Sequence, residues 1–105
     1  MSWIESSEVD LQQVAEDGNY KTALTSINND ANLYYRDNNG YTVLHHAAKQ
    51  GHYHVLRLLL SNGANVNATS NYGRTALHWA AQNGHDKVVS LLMDKGADIH
   101  YKKND

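Results

Sequence analysis

The stretch GYTVLHHAAKQGHYHVLRLLLSNGANV, residues 40–66, is written a second time as GRTALHWAAQNGHDKVVSLLMDKGADI, residues 73–99. The offset is 33, and between residues 37–68 and 70–101 the two copies agree at 14 of 32 positions. Roughly one position in fifteen would agree by chance, so the chain is built from an internal repeat. Every motif in it has to be read first as a part that recurs. Two histidines recur in both copies, His45 with His78 and His52 with His85, and whether these are chemistry or architecture depends on that.

Each unit reads as one supersecondary element. Gly40 and Gly73 allow a tight turn with Asn and Tyr at its tip. Thr42 and Thr75 stand where they can cap a short helix whose inward face is Leu, Ala and Ala, and small alanines let neighbouring helices approach closely. Gly51 and Gly84 end that helix and turn the chain back. A second helix follows, with Val55, Leu56, Leu58, Leu59 and Leu60, or Val88, Val89, Leu91, Leu92 and Met93, on a wide apolar face that stops at Gly63 or Gly96.

The pattern G-x-T-x-L-H-x-A-A-x-x-G-H-x-x-V-x-x-L-L-x-x-G-A-[ND]-[VI] at this period resembles the ankyrin repeat. The resemblance implies an all-α solenoid of stacked helix-turn-helix units joined by β-hairpin-like loops. It covers most of the chain as one domain, 1–105, with repeats at 38–70 and 71–103 and a degenerate capping repeat at about 6–37. In that first unit Leu11, Ala15, Gly18, Ala31 and Leu33 keep the register of Leu44, Ala48, Gly51, Ala64 and Val66. Thr25 and Ser26 replace second-helix leucines there, as expected for a terminal repeat with one face toward solvent. Ser6 or Ser7, the latter spaced from Asp10 like a capping box, would cap its first helix, with Trp3 and Ile4 folding back onto it. Val43 and Ala76 stand where the family usually has Pro, which removes a preset backbone angle at the helix start. YKKND ends with Asp105 at the position of Tyr72, one residue before the next expected Gly, so the expectation is an excerpt from a longer chain.

Composition removes other classes of function. With 105 residues, 41% hydrophobic and 19% charged, the chain suits one small globular domain. The net charge is -2, and the nine Lys and Arg are scattered from Lys21 to Lys103, which argues against nucleic acid as a partner. There is no Cys, hence no disulfide, thiolate metal site or cysteine nucleophile. The N-terminus lacks the basic and apolar regions of a signal peptide, and no run approaches a membrane span. The expectation is an intracellular monomer, cytoplasmic or nuclear, without membrane insertion.

Seven histidines raise a metal or catalytic reading, and His52-x-His54 beside the His45-His46 pair makes it worth weighing. The resemblance assigns His45 and His78 to a bridge between the turn Thr or backbone of neighbouring units. It assigns His52 and His85 to packing and capping at the second-helix start. The remaining His46, His54 and His100 lie on different elements, and no His-Glu-x-x-His, Gly-x-Ser-x-Gly or Gly-x-Gly-x-x-Gly spacing occurs. Carboxylates are dispersed rather than paired as in a glycosidase. The reading is therefore non-enzymatic, with no catalytic residue, metal or cofactor. Asn67, eight residues after Leu59, is placed like the asparagines that an asparaginyl hydroxylase modifies in ankyrin repeats, but Asn65 stands where an acidic residue is favoured. It reads as a turn asparagine bonding its own backbone.

Where repeated residues build a stack, the residues that differ at equivalent positions carry specificity. The family binds partners through its hairpin tips and the exposed end of the first helix. Those positions are Asn38, Asn39, Tyr41, His46, Lys49 and Gln50 in one unit, and Asn71, Tyr72, Arg74, Trp79, Gln82 and Asn83 in the next; Glu16 and Asp17 continue the row. Tyr, Trp and Arg are the types that dominate interface energetics. The function this implies is a scaffold or protein-protein interaction module holding a protein partner. The alternative is an ankyrin segment that positions or regulates the rest of a larger multidomain enzyme or channel.

Overall fold

Each threonine before a Leu-His pair begins a helix because its turn places it in extended backbone while satisfying the first free N–H groups. In the computed structural model, which describes the backbone of residues 6–98 and the side chains of residues 12–98, Thr42 and Thr75 are the N-caps of α3 (Val43–Gln50) and α5 (Ala76–Gln82). At the second of these, Thr75 Oγ1 accepts from the His78 N–H at 3.3 Å and His78 Nδ1 accepts from the Thr75 N–H at 2.9 Å. This reciprocal cap satisfies two donors that a helix start otherwise leaves open. The side chains of Ser6, Ser7 and Asp10, and residues Trp3, Ile4 and His100, lie outside the described residues.

Three helix pairs result, without strands among the described residues. The first helices are α1 (Ser6–Asp17), α3 and α5; the second helices are α2 (Tyr20–Asn28), α4 (Tyr53–Ser61) and α6 (Asp86–Asp94). First helices stack on first helices and second on second, each pair leaning on the next, in a body 44 × 26 × 20 Å. The expected hairpin-like loops are tight turns: Asp37 N–H donates to the Tyr41 carbonyl at 3.0 Å and Ser70 N–H to that of Arg74 at 2.9 Å. No helix among the described residues is long and apolar enough to cross a membrane.

The core is a single apolar seam. Ala15, Ala23, Ala47, Ala48 and Ala80 are fully enclosed and set the close approach of neighbouring helices, while Leu44, Val55, Leu56, Leu59, Val88 and Leu92 fill the space between them. Burying each of the larger side chains contributes about 1.5–3 kcal/mol. Two details differ from the sequence expectation. Ser26, expected to face solvent, is buried, because it occupies the register of Leu59 and points toward the next helix pair; Thr25 is the exposed one. Met93, expected on the apolar face, is 43% exposed, whereas Val88, Leu91 and Leu92 of α6 are buried.

The second helices of the last two pairs end before glycines in the left-handed region, Gly63 at φ 94° and Gly96 at φ 96°. In the first pair that position is Asp30, at φ 65°, which is the one non-glycine residue in this region among those described. A Cβ crowds the backbone there. Replacing the exposed Asp30 by glycine is expected to raise stability by about 0.5–1 kcal/mol, part of the gain being offset by the freer unfolded chain. A urea midpoint that stays the same or falls would show that Asp30 is not strained.

Candidate partner-binding site

The histidines shared by both copies hold the repeats in register. His45 is 2% exposed; its Nδ1 accepts the Thr42 N–H at 2.9 Å and its Nε2 donates to the Arg74 carbonyl of the next hairpin at 2.9 Å. That bonding defines the neutral Nε2–H tautomer, and burial pushes the ring's pKa down to about 4. The expected bridge between units is thus present at His45. The expected capping role of His52 and His85 is not: both sit at N-cap positions of α4 and α6, but neither ring caps its helix. Each reaches back to the preceding pair instead, His52 Nε2 donating to the Glu16 carbonyl at 2.8 Å and His85 Nε2 to the Lys49 carbonyl at 3.0 Å. The ring needs the space over a glycine to do so. A Cβ at Gly18 would lie 2.6 Å from His52 Nδ1, and one at Gly51 2.6 Å from His85 Nδ1.

With the frame set, the differing residues fall on the face made by the hairpin tips and the ends of α3 and α5. A cleft of about 190 Å³ opens there, lined by Asp37, Asn39, Tyr41, His45, His46, Lys49 and Trp79. Trp79 and Tyr41 meet edge to face with centroids 5.8 Å apart. Lys49 Nζ lies 5.3 Å and the Arg74 guanidinium 4.4 Å from the Trp79 ring centre, both within cation–π range. Arg74 also donates to the Gln82 side-chain carbonyl.

Around this centre several of the expected residues carry internal bonds. His46 stands between two carboxylates, its Nδ1 2.6 Å from Glu16 Oε2 and its Nε2 3.2 Å from Asp37 Oδ2. Only the imidazolium can donate to both. Gln50 donates to the other oxygen of Glu16 at 2.9 Å. Asn71 joins successive hairpins, donating from its backbone to the Asn39 carbonyl and from its side chain to that of Asn38. Asn83 donates to the Lys49 carbonyl at 2.9 Å. Tyr72 is 56% exposed at the hairpin tip, its hydroxyl 3.4 Å from Asn39 Oδ1. The structure therefore gathers Asn39, Tyr41, His46, Lys49, Arg74 and Trp79 at one point and leaves Asn38, Gln50, Asn71, Tyr72, Gln82 and Asn83 around it. Asp17 adds an exposed carboxylate at the end of α1, bonded to Gln13.

Asp37 is a member of the site that the sequence reading missed. Burial raises its pKa, but N–H bonds from Tyr41 and Asn39 and the contact with His46 outweigh that and hold the carboxyl below its ordinary value. The signal was legible: Asp37 and Ser70 both stand three residues before the hairpin glycine, and each accepts the N–H groups two and four residues on. Asn67 also departs from expectation. It bonds the following repeat rather than its own backbone, donating to the Gly96 carbonyl and accepting the Asp98 N–H at 2.9 Å.

Larger clefts lie on the opposite side. One of about 590 Å³ is lined by Gly18, Tyr20, His54, Arg57, Leu58 and Ser61, and another of about 550 Å³ runs between α4 and α6. They are open furrows between neighbouring helices. Among the described residues no group of His, Asp and Glu is arranged to hold a metal ion.

Comparison with known proteins agrees with this architecture. A search of curated proteins finds no match to the chain. The family model described as ankyrin repeats, three copies, matches residues 11–103, which takes in all three helix pairs but the start of α1; the chain belongs to the ankyrin repeat family.

Proposed function

We propose that this chain is a non-catalytic protein-interaction module that works as a monomer in the cytoplasm or nucleus and holds a protein partner on its hairpin and first-helix face. Ankyrin repeats are in general protein-protein interaction modules. One observation carries the finer reading: Trp79, half-buried against Tyr41, is flanked by two cations on the hairpin and first-helix face. Aromatic rings and arginine side by side on a rigid frame give large contact area with little loss of side-chain freedom, which is how interface hot spots are built. Fold alone would not support this, since one fold hosts many functions.

Affinity capture from cells of the source, read by mass spectrometry, tests it against a variant with Tyr41, Tyr72, Arg74 and Trp79 all replaced by alanine. The partner is expected to be lost from the variant, its affinity at least about thirtyfold weaker, while circular dichroism stays native. Equal capture by a folded variant would place binding on another face.

A further inference from the structure

The groove's acids and bases are not in the same condition. Both carboxylates at its N-terminal side are consumed by internal bonds. Glu16 accepts from His46 and Gln50, one on each oxygen. Asp37 accepts two backbone N–H groups on Oδ1 and faces His46 on Oδ2. The two cations retain donors. Among the described residues neither Lys49 nor Arg74 has a carboxylate partner, both ion pairs there being those of His46. Among the described residues Lys49 Nζ has no hydrogen-bond acceptor; Arg74 Nε has none either but is enclosed, so the guanidinium meets a partner through its terminal nitrogens. A guanidinium lying over an indole keeps its N–H donors in its own plane, free to meet a carboxylate edge-on.

What the face lacks is therefore an acceptor with negative charge, next to an apolar plate. We infer that the partner presents an acidic segment, whose Asp or Glu carboxylates pair with Lys49 and Arg74 while its apolar side chains lie against Trp79 and Tyr41. The inference rests on the reading of this face as the partner-binding one. A basic segment fits worse: Glu16 and Asp37 are already engaged by His46, Gln50 and backbone N–H groups, and it would meet two cations that have no carboxylate among the described residues. The net charge of the chain is -2, so attraction comes from the local pair at short range and not from the molecule as a whole.

Short random peptides selected by phage display on the 105-residue chain test this without a known partner. The selected pool is expected to be enriched in Asp and Glu beside apolar residues. Exchanging the acids of its leading peptide for Asn and Gln is expected to weaken binding to the unaltered chain roughly tenfold or more, a result that needs no protein variant. K49Q/R74Q is expected to weaken the original peptide by a similar factor. A neutral or basic pool whose binding requires Tyr41 and Trp79 would overturn the acidic segment and leave the face standing. Binding indifferent to the amide exchange would overturn it too. No enrichment, or a pool that binds Y41A/W79A as well as the unaltered chain, would remove both readings together.

Discussion

Replacing His45 by alanine is expected to lower the stability of the fold by roughly 3–5 kcal/mol, a large share of what a domain this small possesses. The ring is 2% exposed and satisfies two groups of different repeats, the Thr42 N–H and the Arg74 carbonyl. Its removal strands both in a space that water cannot easily fill, and leaves a cavity as well. The effect should reach the groove. Arg74 carries the guanidinium beside Trp79, and His45 holds the backbone from which that side chain projects. Urea unfolding followed by far-UV circular dichroism measures the loss; a decrease under about 1 kcal/mol would mean that the bridge is dispensable.

Acidification from pH 7 to pH 4 is expected to remove about 3 kcal/mol of stability through the same residue. Burial lowers the pKa of His45 from 6.5 to about 4, with repulsion from His46 and Arg36 adding to it and the carbonyls of Arg74 and Ala68 opposing it without prevailing. Between those two values the unfolded chain binds a proton that the folded chain refuses. The contribution is complete above 6.5 and is lost as the pH falls toward 4. Asp37 extends the loss: its folded pKa lies below 3.8, so its contribution is present above that value and disappears as the pH falls through the depressed one. Unfolding midpoints in urea across this range check the slope, and His45→Ala should flatten it between pH 6.5 and 4. A slope unchanged in that variant would assign the acid sensitivity to other groups.

The repeat makes much of this legible before any coordinates. Residues that match at the 33-residue offset had to play equal roles, so Thr42, Gly51, Leu59 and His45 could each be placed from Thr75, Gly84, Leu92 and His78. The helix starts, the turns and the seam of alanines and leucines follow from that. Departures occur where a residue has no twin or where its partner comes from another unit. Ser26 looked like solvent-facing polarity because its type was read; its register with Leu59 put it inside. His52 and His85 looked like caps because they stand at helix starts, whereas their rings bond carbonyls 36 residues earlier in the chain.

The site divides the same way. Repetition with variation pointed to the face and to Tyr41, Arg74 and Trp79 on it, because side-chain direction within a unit is set by helix period and turn geometry. The repeat, the family and the helical architecture were legible in the residues alone, since all of these depend on local conformation multiplied by a fixed period. Which charges on that face lack a partner among the described residues follows from the packing of the repeats. Glu16 and Asp37, 21 residues apart in the chain, both meet His46, while among the described residues Lys49 and Arg74 converge on one indole without a carboxylate. Electrostatic pairing depends on distances of a few ångströms across the stack, and those distances are set by how the repeats pack and not by any one repeat.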